Sequence, residues 1–242
     1  MKWPVPTFSQ IVGKGSQLLR HYFQPEWRLA RSRSWQAQSG VMQPWPLTTS
    51  NRHPDFFDLV TLALADRPNV RILSFGCATG EEVFALSRRL PNAHIDGVDI
   101  NPACIRKARQ QTPADCRHRV HFEIGGLVPD LPGHYDAIFC LSVLRHAKLD
   151  AQRPESCAAI LPFSRYSEIV EAFDRALKPG GFLVIWGANF LFEHSKPAAH
   201  YRMIEVSGRA GECGAVYGPD NHLLPINHHN KWVFEKTASK SD

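Results

Sequence analysis

The sequence predicts a doubly wound α/β domain with a mostly parallel sheet, and three observations support this prediction. Short apolar runs alternate with segments of helical periodicity from residue 55 onward. The first apolar run ends in a glycine turn that leads directly into a helix. Hydrophobic residues make up 43% of the 242 residues, which is typical of a globular domain with a substantial core. Because strands that alternate with helices form parallel sheets, we expect both faces of this sheet to be covered.

The individual elements follow from hydrophobic periodicity and from helix-stop residues. The strands are expected at Val70–Phe75, His94–Ile100 and Val120–Ile124, within Tyr135–Leu144, and at Phe182–Trp186. The helices are expected from Pro54 to the stop at Pro68-Asn69, over residues 81–90, after Pro102, and over residues 166–177. Lys178-Pro179-Gly180-Gly181 is expected to end the last helix before the fifth strand begins. Residues 202–206 and 232–235 are weaker strand candidates at the C-terminal edge of the sheet.

Residues 1–54 are predicted to be a basic N-terminal extension ahead of the main domain, residues 55–242. The formal net charge of +5 lies wholly in the first 35 residues, which hold six basic side chains and one acidic side chain. Apolar residues between positions 8 and 23 recur at helical spacing. We expect this helix to pack on its own domain as a candidate lid, and contact with a membrane surface or an acidic partner is the alternative. Residues 36–242 carry no formal net charge and therefore do not predict nucleic-acid binding.

The turn after the first strand and the end of the second strand predict a nucleoside site. Gly76 and Gly80 allow the backbone to pass close under a ligand without a Cβ clash. The free N–H groups at the following helix start can meet an anionic group. Asp99 ends the second strand, where a carboxylate accepts hydrogen bonds from ribose hydroxyls. These residues alone indicate a nucleoside without specifying which one.

Four motifs together resemble those of class I S-adenosylmethionine-dependent methyltransferases. The run Leu73–Glu82 is similar to their first motif, in the G-C-[SA]-T-G-E-E form of the chemotaxis-receptor methyltransferase group. Val98-Asp99 resembles the acidic motif after the second strand, and Tyr135–Phe139 resembles the fourth motif. Leu177–Gly181 resembles the motif before the fifth strand. The four motifs occur in the family's order within residues 55–187.

The resemblance implies a seven-stranded Rossmann-like methyltransferase sheet with an antiparallel last strand, and S-adenosylmethionine as the cofactor. The glycine turn would face the methionine part of the cofactor, Asp99 the ribose, and the residues after the third strand the adenine. Ser74 and Ala78 stand where many relatives have an acidic residue and a glycine, and Gly125-Gly126 stands where many have an acidic residue. The expected cofactor-binding residues are Phe75, Gly76, Cys77, Ala78, Gly80, Asp99, Ile100, Gly125, Gly126, Leu141 and Ser142.

Methyl transfer from a sulfonium depends mainly on alignment and desolvation, although a protonated nucleophile also needs a base. His146 follows the fourth strand and is the candidate base, because its unperturbed pKa of about 6.5 suits proton transfer near neutral pH. The alternative is a histidine that caps a loop. Arg145 is a weaker candidate for binding a substrate anion. Three long connections, 145–163, 187–201 and 209–230, should converge on this face and bring Tyr217, His222, His228 and His229 near it.

The function predicted from these features is methyl transfer to a small molecule enclosed by the loops and the extension. A protein carboxyl methyltransferase and a non-catalytic S-adenosylmethionine-binding regulatory protein are the alternatives, and a nicotinamide oxidoreductase is a more distant one. Nucleic-acid methylation is disfavoured because no [DN]-P-P-[YF] motif follows the fourth strand. The six scattered cysteines predict reduced thiols and no metal site. We expect a cytoplasmic protein, since the chain has no signal-peptide core or transmembrane run, and its sequence specifies no oligomeric state.

Overall fold

The computed structural model describes residues 24–36, 41–49, 51–206, 214–226 and 232–237. The predicted amphipathic helix over residues 8–23, Cys213, His228 and His229 lie outside the described residues. The helices are α1 (Pro25–Ala30), α2 (Arg33–Gln36), α3 (Pro54–Leu64), α4 (Glu81–Arg89), α5 (Pro102–Gln110), α6 (Ala147–Gln152) and α7 (Phe163–Ala176). The strands are β1 (Arg71–Phe75), β2 (His94–Asp99), β3 (Val120–Ile124), β4 (Tyr135–Leu141), β5 (Leu177–Trp186), β6 (Tyr201–Ile204) and β7 (Val233–Lys236).

Within the described residues, seven strands form one sheet in the order β3-β2-β1-β4-β5-β7-β6. The first five strands pair in parallel, and β7 runs antiparallel to both β5 and β6. The predicted doubly wound α/β sheet with an antiparallel last strand is therefore confirmed. Strand order reverses between β1 and β4, and open α/β sheets bind ligands beyond the carboxyl ends of the strands at such a switch point.

Helices cover both faces of the sheet because the central strands are apolar on both sides. The residues of β4 are buried from Tyr135 to Cys140. One cluster of buried side chains joins the sheet to α7, with Phe75 and Phe173 in edge-to-face contact at 5.2 Å. A second cluster joins the opposite face to α3, α4 and α5, with Phe57 against Phe139 at 5.6 Å. The apolar runs read as strands in the sequence are thus the middle layer of the molecule.

The fifth strand begins earlier than its sequence predicts. α7 ends at Ala176, as expected, but Lys178–Gly181 lies inside β5 and does not form a separate loop. Leu177 pairs with Tyr135, and the register then shifts before Phe182 pairs with Ala137. The proline and glycines are accommodated at this irregularity, so the residues typical of a helix stop also start the strand.

The described part of the extension includes α1, which packs beside the end of β2. Glu26 in α1 is 3% exposed and forms an ion pair with Lys107 of α5 at 2.6 Å. Its carbonyl oxygen accepts a hydrogen bond from the amide of Asn101 at 3.1 Å. Asn101 is also the N-cap of α5, where its side-chain oxygen accepts from the N–H groups of Ala103 and Cys104. None of the helices in the described residues is long and apolar enough to cross a membrane.

Candidate functional site

A cavity of 630 Å³ opens at the carboxyl edge of the sheet, at the switch point between β1 and β4. This volume is within the range of pockets that bind small molecules and cofactors. Nine of the eleven residues predicted from the sequence to bind a cofactor line the cavity. The other two, Cys77 and Gly80, belong to the same turn, but Cys77 is 3% exposed with its thiol against the carbonyl of Ala78. Gly80 precedes α4 in the left-handed conformation.

The turn after β1 visits the left-handed region three times, at Gly76 (φ +78°), Ala78 (φ +47°) and Gly80 (φ +92°). Only glycine adopts this conformation without steric cost, so Ala78 is strained. A Cβ at position 76 would collide with Cγ2 of Val143. Glycine is therefore needed at position 76 because Val143 packs against it. The sequence had predicted a different reason, namely that glycine leaves room for a ligand.

Asp99 lies at the end of β2 and joins two neighbouring segments of the cavity wall. Its Oδ2 accepts a hydrogen bond from the N–H of Ala78 at 2.8 Å, and its Oδ1 accepts from the N–H of Asn101 at 2.8 Å. Burial raises the pKa of this carboxyl to about 6, and the two N–H donors limit the increase. Each carboxylate oxygen has a further lone pair available, so Asp99 can accept hydrogen bonds from a ligand in the cavity.

The two glycines after β3 form the wall next to Asp99. The N–H of Gly125 donates to the Asp99 carbonyl at 3.0 Å, which continues the parallel pairing of β2 and β3. A Cβ at Gly126 would lie 2.9 Å from Cδ1 of Ile100. The backbone here consequently passes close to Ile100, and side-chain-free glycines leave a flat surface on this side of the cavity.

A carboxyl group near the turn was not predicted from the sequence. Glu82, in the first turn of α4, accepts a hydrogen bond from the hydroxyl of Ser74 at 2.7 Å. Burial raises the pKa of Glu82 to about 7. Ser74 occupies the position where relatives often have an acidic residue, and Glu82 brings a carboxyl to that position from the next helix. Only the fold reveals this pairing, because the two residues are on different elements.

The residues after β4 form a polar network below the cavity. Arg145 donates from Nε and Nη2 to Oδ2 of Asp150. The other carboxylate oxygen of Asp150 accepts from Nδ2 of Asn189 and from the N–H of Ala215, both at 3.0 Å. This carboxylate thus joins the three connections predicted from the sequence to converge at this edge.

His146 caps α6. Its ring Nδ1 accepts a hydrogen bond from the backbone N–H of Lys148 at 3.2 Å. Its backbone N–H donates to Oδ1 of Asn189 at 2.7 Å. Burial lowers the pKa of His146, and the nearby charge of Lys148 lowers it further. The sequence neighbours of His146, Arg145 and Ala147, line the cavity, but His146 itself is not among the described residues that line it. Its predicted role as a base stays a prediction.

The extension supplies part of the cavity wall that the sequence did not assign. Residues 42–47, in the chain between α2 and α3, cover one side of the cavity with apolar and aromatic side chains, and Arg52 of the same connection also lines it. The extension residues involved are Trp35, Met42, Gln43, Pro44, Trp45, Pro46 and Leu47. The signal in the sequence is the run Pro44-Trp45-Pro46-Leu47, which is more apolar than a solvated linker. By contrast, Tyr217 is fully buried with its hydroxyl on the Pro154 carbonyl, and it does not line the cavity.

Comparison with known proteins supports the resemblance drawn from the motifs. Residues 73–183 match a methyltransferase domain family. The matched segment contains the glycine turn, Asp99, the end of β4 and most of β5. This match agrees with the methyltransferase resemblance of the four motifs. The closer similarity of the first motif to the chemotaxis-receptor methyltransferase group stays a prediction.

Individual methyltransferase relatives match shorter parts of the chain. Trans-aconitate 2-methyltransferase of Deinococcus radiodurans is 31% identical over 83 residues, which are 34% of this chain and 30% of that protein. Ubiquinone biosynthesis O-methyltransferase of Xylella fastidiosa is 30% identical over 118 residues, covering 48% of this chain and 40% of that protein. The chain thus spans less than half the length of these two relatives. Among solved structures, YcgJ of Bacillus subtilis aligns at a TM-score of 0.41 with 19% identity, covering 55% of this chain and 50% of that one.

Proposed function

We propose that this chain is an S-adenosylmethionine-dependent methyltransferase that acts on a small molecule. The observation that supports this proposal most directly is Asp99, a carboxylate that faces a cavity at the switch point of a doubly wound sheet. A carboxylate in this place suits the two ribose hydroxyls of a nucleoside cofactor. The match of residues 73–183 to a methyltransferase domain favours S-adenosylmethionine over other nucleosides.

The residues around the cavity fit this cofactor from end to end. Gly125 and Gly126 offer a flat wall for the adenine, and Asp99 lies beside them for the ribose. Gly76 and Ala78 also line the cavity and would face the methionine part of the cofactor. The hydroxyl oxygen of Ser142 is buried without a hydrogen-bond partner among the described residues, so a donor remains available to a ligand there. The proposed contacts are those predicted from the sequence, with Cys77 and Gly80 acting through the shape of the turn.

When bound, S-adenosylmethionine supplies an electrophilic methyl group on a sulfonium. The chain would hold the nucleoside through Asp99 and the turn after β1, and so fix the direction in which the methyl group points. The extension residues 42–47 would exclude water from the acceptor, which is the proposed lid role of residues 1–54. Alignment and desolvation are thus the main contributions that we propose for this site.

The covered cavity favours a small acceptor over a protein side chain. Trp45 and Pro46 lie across one side of it, and a protein substrate would have to displace them. The similarity of Gly76–Glu82 to the chemotaxis-receptor group leaves protein carboxyl methylation as the second candidate. The relatives include a trans-aconitate 2-methyltransferase and a ubiquinone biosynthesis O-methyltransferase, which supports the first candidate.

Calorimetry with S-adenosylhomocysteine tests the proposal. The wild-type chain should bind this product, and Asp99→Asn should weaken binding at least tenfold because a neutral amide accepts ribose hydrogen bonds poorly. Asp66→Asn is the matched control, since Asp66 is exposed and does not line the cavity. Absence of binding to the wild-type chain would refute the cofactor assignment. Binding without methyl transfer across a broad metabolite screen would instead indicate a non-catalytic regulatory protein.

A further inference from the structure

The cavity has two halves that come from different strands. Asp99, Gly125 and Gly126, which the proposed function assigns to the nucleoside, follow β2 and β3. The sheet order β3-β2-β1-β4 places the end of β4 on the other side of β1. With the nucleoside over β2 and β3, the half beside β4 is left for the methyl acceptor. Five lining residues of this β4 half follow the strand or belong to α6: Val143, Arg145, Ala147, Asp150 and Ala151.

The extension closes the β4 half with an apolar wall. The guanidinium carbon of Arg52 lies over the ring of Trp186, at the end of β5, 5.6 Å from its centroid. Nη1 of Arg52 donates to the carbonyl oxygen of Leu47 at 3.1 Å. Because β5 is next to β4 in the sheet, Leu47 lies on the β4 side of the cavity. Its side chain is 63% exposed, so an apolar ligand that covered it would remove apolar surface from water.

The same wall carries an aromatic ring. Trp45 lines the cavity between Pro44 and Pro46, and both prolines restrict the backbone on either side of it. Its carbonyl oxygen accepts a hydrogen bond from the N–H of Leu47 at 2.9 Å. Its ring lies against that of Trp27, with the centroids 6.1 Å apart. A flat ring on a restricted segment favours a ligand that is itself planar and apolar.

The charged side chains of the β4 half are compensated or exposed. Nε and Nη2 of Arg145 both donate to Oδ2 of Asp150. The other oxygen of Asp150 accepts from Nδ2 of Asn189 and from the N–H of Ala215, both at 3.0 Å. Arg52 is exposed, so water and salt screen its charge. The described residues of this half therefore offer no uncompensated buried charge to an ionic acceptor.

The described residues of the β4 half also offer no free base. Both carboxylate oxygens of Asp150 are occupied, and His146 is not among the described residues that line the cavity. An aliphatic hydroxyl keeps its proton far more strongly than a phenol, for which tyrosine gives a pKa of about 10. A phenolic oxygen can consequently react as the anion without a positioned base, with its proton passing to water.

We propose that the methyl acceptor is an uncharged planar aromatic molecule that is methylated on a phenolic hydroxyl group. It would pack on Trp45 and Leu47, and the small side chains of Ala147 and Ala151, on one face of α6, leave room for it. The phenolic oxygen would form a bond to the methyl carbon as the carbon–sulfur bond breaks, and the electron pair of that bond would stay on sulfur. This inference rests on the proposed methyltransferase function and names its substrate class.

Calorimetry on the full chain saturated with S-adenosylhomocysteine tests this class with three probes. 2-Naphthol is planar and phenolic, decahydro-2-naphthol is a non-planar alcohol with the same carbon skeleton, and citrate is an aliphatic anion. We expect 2-naphthol to bind at least tenfold more tightly than either of the others. An affinity for decahydro-2-naphthol or citrate within tenfold of that for 2-naphthol overturns the proposal, as does absence of 2-naphthol binding to the complex.

Variants on the two sides of the β4 half test where the probe binds. Ala147→Leu fills space beside α6, and Leu47→Asp places a charge on the apolar wall. Each should weaken 2-naphthol binding at least tenfold and change S-adenosylhomocysteine affinity less than twofold, which also shows that the variant is folded. Gln152→Leu, exposed at the end of α6, and Leu131→Asp, an exposed leucine in a loop outside this cavity, are the matched controls and should change neither affinity.

The outcomes separate this inference from the function on which it rests. Unchanged 2-naphthol affinity in Ala147→Leu or in Leu47→Asp, with S-adenosylhomocysteine still bound, overturns the acceptor assignment and leaves the cofactor assignment intact. Failure of the wild-type chain to bind S-adenosylhomocysteine refutes the proposed function itself.

Discussion

At the scale of single residues, the cavity wall depends on a carboxylate that is held by backbone groups. Asp99 is fixed by the N–H groups of Ala78 and Asn101, which belong to two different turns. Burial moves its pKa to about 6, close to the working range of most enzymes. The position of Asp99 follows from its sequence motif, but its raised pKa depends on how the surrounding chain excludes water.

The raised pKa of Asp99 predicts pH-dependent binding of S-adenosylhomocysteine. The group is ionised above pH 6 and can accept from ribose hydroxyls, so affinity should be full near pH 7.5. Affinity should fall as pH decreases through 6, and by about tenfold at pH 5, where about one carboxyl in eleven is ionised. Calorimetry over this range measures the change.

Asp99 and Glu82 both have a raised pKa, so control variants must show which carboxyl causes the change in affinity. Glu82→Gln should retain the decrease in affinity through pH 6, because its own carboxyl does not line the cavity. Asp99→Asn should bind weakly at every pH. A wild-type affinity that is constant from pH 7.5 to 5 would contradict the assignment of Asp99 to the ribose.

Ala78 predicts a stabilising substitution. Its φ of +47° is unfavourable for a residue with a Cβ, by about 1 kcal/mol, and glycine removes this cost. Ala78→Gly should therefore raise the free energy of unfolding by at most about 0.5 kcal/mol after the loss of chain entropy is included. Urea unfolding measures it, and Ala85→Gly inside α4 is the control with the opposite sign, since glycine destabilises a helix interior. A lower stability of Ala78→Gly would show that the turn is not strained.

At the scale of elements, the start of α6 decides how His146 is used. The ring nitrogen Nδ1 accepts a hydrogen bond from the N–H of Lys148. This N–H is in the first turn of α6, where backbone N–H groups have no acceptor within the helix. A neutral histidine in this arrangement has its basic nitrogen occupied, and proton abstraction would require the ring to leave the cap. The alternative given by the sequence was a histidine that caps a loop, whereas the structure has His146 as the N-cap of α6.

Substitution of His146 tests the cap. His146→Ala should reduce the free energy of unfolding by about 1 kcal/mol, whereas His146→Asn should stay close to wild type because asparagine is an effective N-cap. Urea unfolding compares the two, with His118→Ala as the control at an exposed position. Equal stability of the alanine and asparagine variants would exclude a capping role and make the catalytic prediction more attractive.

At the scale of the whole molecule, the cavity is built from two parts of the chain. The main domain supplies the turn, Asp99 and the end of β4, and residues 42–47 cover them. α1 joins these parts through the Glu26–Lys107 ion pair and through its hydrogen bond with Asn101, which lies two residues after Asp99. A ligand held by Asp99 would consequently lie next to the segment that the extension contacts.

This arrangement predicts that ligand binding orders the extension. S-adenosylhomocysteine should slow amide hydrogen exchange in residues 41–49 at least severalfold, because a ligand beneath these residues adds contacts that oppose their opening. Hydrogen-exchange mass spectrometry on the full chain measures this effect. Exchange in β6, at the edge of the sheet and outside the cavity lining, should be unchanged. Unaltered exchange in residues 41–49 at saturating ligand would refute the lid role.

Sequence reasoning predicted most of the sheet and nine of the residues that line the candidate site. Hydrophobic periodicity located β1 to β4 within a few residues, since the buried layer imposes a local pattern on each strand. It misplaced the start of β5, because Lys178–Gly181 has the local features of a helix stop and its pairing with β4 is a long-range contact. Arg52 was missed for the same reason, because its place at the cavity depends on how the extension packs against the sheet.

The sequence by itself determined the order of strands and helices, the turn from Gly76 to Gly80 and the placement of Asp99 at the end of β2. These features depend on backbone conformation and burial within short segments, which residue type and spacing record. The tertiary structure alone decided which residues of the extension line the cavity, that Glu82 meets Ser74, and that Ser142 and Arg145 converge beside Gly187. These contacts join residues from separate elements, and they exist only once the sheet has brought the carboxyl ends of its strands to one edge.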